Sequence, residues 1–165
     1  MAARSASHRP AILLVVRHAH RDKSAGRAED NGISPKGRKQ AMRLLEHFKK
    51  EFPGLHAPAL KVLSSPKKRC VETVQPLAEA GKTKVHTSGL LDEGAELEDR
   101  ARKYLTEWKR EGSGVTVICS HGDWIPLFLE LATGVPTDLA KGGCAQLENV
   151  DGKFVITRLI QEFGD

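Results

Sequence analysis

Arg17-His18-Ala19 stands directly behind the apolar run Ile12-Leu13-Leu14-Val15-Val16. Such a run reads as a buried strand, which leaves the polar pair at its C-terminal end, where open α/β sheets bind ligands. An imidazole there can serve as nucleophile or base, and a guanidinium beside it can grip an anion with two parallel hydrogen bonds. Three later segments carry complementary groups. Arg69 opens the helix after a second strand, Asp92-Glu93-Gly94 follows a third, and Ser120-His121-Gly122 follows a fourth. Parallel strands bring their C-terminal ends to one sheet edge, so these groups are expected to converge. Two arginines, two histidines and a carboxyl group suit phosphoryl transfer. The arginines neutralise the non-bridging oxygens, one histidine attacks phosphorus and the other stabilises the transferring group, while the carboxyl group protonates the leaving atom.

The elements that must position these groups alternate between strand and helix signals from end to end, the pattern of a three-layer α/β/α sandwich with a mostly parallel mixed sheet. After the first strand comes a polar loop over residues 21–32. Ser34-Pro35 then starts a helix, Ser as N-cap and Pro in the first turn, with Ala41, Leu44, Leu45, Phe48 and Phe52 as its buried stripe and Pro53-Gly54 as its stop. A second strand is expected over residues 59–63. The helix that follows turns Cys70, Val74, Leu77 and Ala78 inward, and Pro76 should kink or divide it. Residues 84–87 read as a short third strand, and Leu97, Ala101, Tyr104, Leu105 and Trp108 mark the next helix. The apolar stretch 115–119 is the fourth strand. A helix from about Asp123 carries Ile125, Leu127, Phe128 and Leu131, and Thr133-Gly134 closes it. Asp151-Gly152 between two strand-like runs is a hairpin signal, which puts an antiparallel element at the end of the sheet.

Composition narrows the partners. With 165 residues, 39% hydrophobic and 28% charged, the chain suits a single globular domain over residues 11–165 behind a loose N-terminal tail, residues 1–10. The longest apolar run, residues 11–16, is too short to cross a membrane, so no membrane association is expected. Three widely spaced cysteines, Cys70, Cys119 and Cys144, fit neither a disulfide framework nor a zinc site and point to a reducing, cytoplasmic setting. The formal charge of +5 favours anionic partners. A single Tyr and no aromatics interleaved with the basic groups argue against a nucleic-acid surface.

Taken together, the blocks resemble the histidine phosphatase superfamily, also called phosphoglycerate-mutase-like. Arg17-His18-Ala19 matches its opening motif, and Ser64-Ser65-Pro66-Lys67-Lys68-Arg69 resembles its second block, with Glu72-Thr73 where Gln-Thr is frequent. Leu91-Asp92-Glu93 looks like its Leu-x-Glu block, Ser120-His121-Gly122 is its Ser-His-Gly block, and residues 31–41 are similar to its loop-to-helix segment. The resemblance spans residues 12–160. It implies His18 as the nucleophile that becomes phosphorylated, Arg17, Arg69 and His121 as phosphate ligands, and Glu93 as proton donor, with no metal or cofactor. Asp92 and Glu96 lie close enough in sequence to compete with Glu93 for that role. The chain departs from the family after the first motif, where it reads His20-Arg21-Asp22-Lys23, and Arg21 is a candidate substitute phosphate contact. In size it is similar to the short phosphohistidine phosphatases, and no segment is long enough to form a lid.

Other phosphate chemistries fail on checkable residues. Gly32-Ile33-Ser34-Pro35-Lys36-Gly37-Arg38-Lys39 comes near a P-loop but has Arg-Lys where Lys-Ser or Lys-Thr is required. No cysteine is followed by Arg six positions on, and Ser120 lacks the preceding glycine of a nucleophile elbow. The expectation is a metal-independent phosphatase acting through a phosphohistidine on a phosphoprotein, such as one bearing phosphohistidine, or on a small phosphomonoester. A mutase-type phosphoryl transferase and a non-catalytic domain that binds phosphate or nucleic acid stay open as alternatives. Oligomeric state and pathway are not legible.

Overall fold

The computed structural model describes residues 11–26 and 30–163; the tail expected at residues 1–10 lies outside the described residues. Six strands form one sheet in the order β3-β2-β4-β1-β5-β6. They are β1 (Ile12–Arg17), β2 (Leu60–Ser64), β3 (Val85–Thr87), β4 (Val115–Ser120), β5 (Cys144–Val150) and β6 (Lys153–Ile160). β3, β2, β4 and β1 run parallel, and β5 and β6 add an antiparallel hairpin at the β1 edge. The hairpin turn has Asp151 and Gly152 both at positive φ, as the Asp-Gly pair requires.

Because side chains alternate along a strand, β1 serves both faces. Leu14 and Val16 pack with Leu44, Leu45 and Phe48 of α1 (Pro35–Glu51) and with Cys70, Val74 and Leu77 of α2 (Lys68–Ala80). Leu13 and Val15 pack on the other face with Tyr104 and Trp108 of α3 (Leu97–Glu111) and Trp124 and Phe128 of α4 (Trp124–Thr133). The result is the three-layer sandwich that the alternation of elements implied. Both central strands, β1 and β4, are covered on the two faces, which is why they read as nearly continuous apolar runs rather than as alternating ones, with Thr116 buried inside β4.

α1 starts as the sequence indicates: Ser34 Oγ accepts a hydrogen bond from Gly37 N at 3.0 Å. Pro76 does not divide α2, which runs continuously from Lys68 to Ala80. A missing N–H costs the helix one hydrogen bond, and the buried Val74, Leu77 and Ala78 on either side of it hold the turns in register. In α4 the inward face is Trp124, Ile125, Phe128 and Leu129, while Leu127 and Leu131 are only half-buried. On that face the Trp124 and Phe128 rings stack with centroids 4.7 Å apart.

Candidate active site

The parallel strands deliver their polar ends to one edge. β1 and β4 pair in register so that Arg17 lies beside Ser120, and the next residues, His18 and His121, follow side by side. His18 N donates to Ser120 O at 3.1 Å, and the two imidazoles meet edge to face with centroids 5.4 Å apart. Both are almost fully buried. Arg69, on the first turn of α2, is also buried, and Glu93 enters from the loop after the 3-10 turn Gly89–Leu91. Arg17, His18, Arg69, His121 and Glu93 line one cavity of about 360 Å3. Around them the walls carry five cationic side chains, Arg17, Arg21, Lys23, Arg69 and Lys141, against two carboxylates, Glu93 and Asp123, so an anion is the ligand this cavity favours.

The tautomer of His18 follows from its surroundings. Nδ1 lies 2.8 Å from Ala19 O, and a carbonyl can only accept, so Nδ1 carries the proton and Nε2 keeps its lone pair. Burial, and then the charges of His121, Arg69 and Arg17, outweigh that hydrogen bond and push the imidazole down to about 4. Near neutral pH His18 is therefore uncharged. His121 presents Nδ1 towards Glu93 Oε1 and Arg69 Nη2, both at 3.4 Å, while its Nε2 lies 2.8 Å from Ser65 Oγ and 3.5 Å from Cys70 Sγ. Burial raises the Cys70 thiol, but hydrogen bonds with Cys119 and His121 and the charges of His121 and Arg69 prevail and bring it down to about 6.

The two arginines are held differently. Arg17 Nη1 donates to Leu139 O at 2.9 Å. Arg69 Nη2 donates to Glu93 Oε2 at 2.6 Å, and its Nη1 lies 3.5 Å from Asp30 Oδ1. The Nε of each is buried without a hydrogen-bond partner among the described residues. Glu93 is partly desolvated, which raises it, yet the Arg69 hydrogen bond and the charges of His121, Arg69 and Lys67 hold its carboxyl below the usual range.

Of the competing carboxylates, Asp92 faces inward to the protein. Its Oδ1 accepts from Glu93 N at 2.8 Å and from Ser65 Oγ at 3.3 Å, and Oδ2 lies 3.7 Å from Lys67 Nζ. Glu96 caps α3 from the left-handed region and does not line the cavity. Arg21 lines it, as the candidate substitute contact should. His20 turns away to Ser34, its Nδ1 2.7 Å from Ser34 Oγ.

Four supporting residues escaped the sequence reading. Thr73 Oγ1 accepts from Ala19 N at 2.9 Å and donates to Arg69 O at 2.7 Å, tying the loop that begins at His18 to α2. Asp30 accepts from the backbone N–H groups of Lys68 and Arg69 at 2.5 and 3.3 Å, acting from a distance as the cap of α2. Ser65 orients His121. Arg100 staples the Glu93 loop, donating to the carbonyls of Gly89, Asp92, Glu93 and Ala95. Ser65 and Thr73 stood within the second block without an assigned role; Asp30 and Arg100 act across loops whose path no spacing reveals.

Comparison with known proteins bears on the family and the fold. The profile of the histidine phosphatase superfamily, branch 1, matches residues 13–95. No protein of curated function matches the sequence. Among solved structures, a phosphoserine phosphatase mutant from Entamoeba histolytica, in complex with phosphoserine, superposes with a TM-score of 0.70 at 17% identity, covering 90% of this chain and 96% of that one. A putative phosphohistidine phosphatase, SixA from Agrobacterium tumefaciens, gives 0.70 at 18% identity over 92% and 99% of the two chains. A mycobacterial glucosyl-3-phosphoglycerate phosphatase gives 0.71 at 16% identity over 93% and 100%. At these identities the solved structures establish the fold, and the profile match establishes the family: the chain belongs to the histidine phosphatase superfamily, branch 1.

Proposed function

We propose that this protein is a phosphatase that works through a covalent phosphohistidine on His18 and acts on a phosphoprotein or a small phosphomonoester. The observation that carries the reading is the His18 Nε2 lone pair in a cavity whose walls include the guanidinium groups of Arg17 and Arg69 among five cationic side chains. A phosphoryl dianion is the ligand that such charges complement.

In the first step Nε2 attacks phosphorus, the N–P bond forms and the P–O bond to the leaving group breaks. Arg17, Arg69 and His121 bind the non-bridging oxygens as charge shifts onto them. Glu93 gives its proton to the leaving oxygen. In the second step water attacks phosphorus, Glu93 takes its proton, the N–P bond breaks and Nε2 recovers its lone pair. Glu93 starts as a carboxylate paired with Arg69, whereas a donor must be protonated. A bound dianion resolves this, because it draws Arg69 towards itself and places negative charge beside Glu93, and both raise the carboxyl group.

The test uses p-nitrophenyl phosphate in the presence of a chelator, with denaturing quench of the steady state. Turnover is expected, with protein-bound phosphate that is acid-labile and base-stable and that disappears in His18→Asn. Absence of both signals from the wild-type protein, or full activity of His18→Asn, would refute the reading. A panel of phosphohistidine protein, phosphoserine peptide, sugar phosphate and phosphoglycerate then ranks the substrates, with phosphoglycerate expected last.

A further inference from the structure

Beside the catalytic cavity lies a larger one, of about 600 Å3, whose lining includes His20, Lys36, Gln40, Arg43, Lys141 and Glu162. Lys36, Gln40 and Arg43 recur along α1 at the spacing that places side chains on one helix face. Lys141 belongs to the walls of both cavities. Among the described residues, three cationic side chains thus meet one carboxylate in a concave setting, where fields are focused more strongly than on a convex surface. The cavity is also built onto the backbone of the catalytic residues. Gly142, at φ +78, donates its N–H to Arg17 O and His18 O at 3.1 and 3.2 Å, and Gln40 Oε1 accepts from His20 N at 2.8 Å. A Cβ at Gly142 would stand 3.1 Å from the Gln40 side chain, so glycine permits this close approach. The positive field is felt by His20, which burial and then Lys141, Lys36 and Lys23 hold below its ordinary value. The phosphoryl chemistry uses none of Lys36, Gln40 or Arg43.

We propose that this second cavity binds a further anionic group, carboxylate or phosphate, carried by the same substrate whose phosphoryl group is attacked by His18. The shared Lys141 and the two-residue step from His18 to His20 make the cavities neighbours, so one extended molecule can occupy both. The proposal rests on the phosphatase reading and narrows its substrate class to phosphorylated molecules with a second negative charge at a distance. A small bisphosphorylated compound and a phosphopeptide with an acidic neighbour share that chemistry.

The experiment uses alkane diphosphonates of graded chain length, each paired with a monophosphonate of the same length ending in a neutral hydroxyl, titrated calorimetrically into the full chain. One chain length is expected to bind about tenfold tighter than its hydroxyl counterpart, the scale of one charge-assisted contact. In the double variant Lys36→Gln, Arg43→Gln that preference should fall to about twofold or less, while hydrolysis of p-nitrophenyl phosphate stays within about twofold of wild type. A control double variant, Lys49→Gln, Lys50→Gln, removes exposed charge from the far end of α1 and should keep the preference. The proposal is overturned if no chain length shows a preference, if the Lys36, Arg43 variant retains it, or if the control loses it equally. Where the diphosphonate preference holds, phosphopeptides with and without an acidic neighbour, set against bisphosphorylated small molecules, separate the two sources. Lack of turnover of p-nitrophenyl phosphate by the wild-type protein would strike the phosphatase reading instead, since the titration reports on the second cavity without turnover.

Discussion

Arg17 and Arg69 reach the same cavity from opposite sides and in opposite states. Arg17 extends from the end of a central strand and its guanidinium donates to a neutral carbonyl, Leu139 O, and among the described residues no carboxylate forms an ion pair with it. Arg69 comes from the first turn of α2 and is paired with Glu93 and, more distantly, with Asp30. The difference teaches how the site divides its labour. On the proposed mechanism Arg17 is already organised for an anion, whereas Arg69 must share itself between phosphate and Glu93, and that sharing couples substrate binding to the protonation of the carboxyl group. Removing either arginine therefore removes a charge that acts on His18, but only one removal should alter how Glu93 handles its proton.

The largest effect is expected from Arg17→Gln, a loss of about a thousandfold in kcat/KM on p-nitrophenyl phosphate, the upper range for one preorganised donor to a developing anion. The shape of the pH–rate profile should stay as in wild type apart from its acid limb. Equal losses and equal profile changes in Arg17→Gln and Arg69→Gln would erase the distinction between the two arginines.

Next in size is a stability effect to which both arginines contribute through His18. The folded imidazole sits at about 4, below its ordinary 6.5, so between those values the unfolded chain binds a proton that the folded one does not. Stability accordingly falls as the pH drops from about 6.5 towards 4, then levels off once the folded form also protonates. The full span is about 3 kcal/mol. His18→Asn lacks this penalty. Urea unfolding at a series of pH values should show the stability of His18→Asn gaining on wild type by about that amount across the window. The gain should shrink in the Arg17→Gln and Arg69→Gln backgrounds, because each charge contributes to the depression of His18. A difference between His18→Asn and wild type that does not vary with pH would contradict the assignment of a neutral, field-depressed imidazole.

Arg69→Gln is expected to cost about a hundredfold in kcat/KM, less than its counterpart, because the lost phosphate contact is partly offset by the ion pair that no longer has to be surrendered. Its distinguishing mark is in the pH profile. Without Arg69 the Glu93 carboxyl group loses its main stabilising partner and titrates higher in the free enzyme. Leaving-group dependence reads the same point: the penalty should be greater for alkyl than for p-nitrophenyl phosphate only in variants that disturb Glu93.

What the sequence made legible follows the same divide. Arg17, His18 and His121 could be read because they sit at the ends of β1 and β4, whose nearly continuous apolar runs announce strands covered on both faces, and strand ends have a fixed place in a parallel sheet. Ser34 and Pro35 likewise announced α1 through local chemistry alone. Arg69 and Glu93 were legible as residue types, but their pairing was not, since it depends on the path of the loop after the 3-10 turn and on the Arg100 staple that holds it. Asp30 illustrates the limit most sharply. It caps α2 across a gap of thirty-eight residues, and no periodicity or cap motif encodes a partner so far away in sequence. Pro76 shows the converse, a local rule overridden by packing: the helix continues because its buried face is secured on both sides of the lost hydrogen bond.

The smallest of the expected effects tests the preorganisation of Arg17 without touching any charge. A Cβ built on Gly122 would lie 2.8 Å from Arg17 Cζ and Nη2 and 3.2 Å from Nε, too close for the guanidinium to stay where it is. The backbone of Gly122 does not adopt positive φ, so alanine itself fits there without strain. The displaced group is the far end of a flexible side chain and can give way, so the melting temperature of Gly122→Ala should stay close to that of wild type. Activity should not be spared. An arginine pushed off its position beside Leu139 O loses the fixed aim that sets it apart from Arg69, and a misplacement on the order of an ångström costs about tenfold or more in rate. The loss should appear in kcat/KM with the Glu93-dependent part of the profile unchanged, as for Arg17→Gln but about a hundredfold milder. If Gly122→Ala kept full activity, the position of Arg17 would be shown to be as adjustable as that of Arg69, and the contrast would reduce to one of pairing alone.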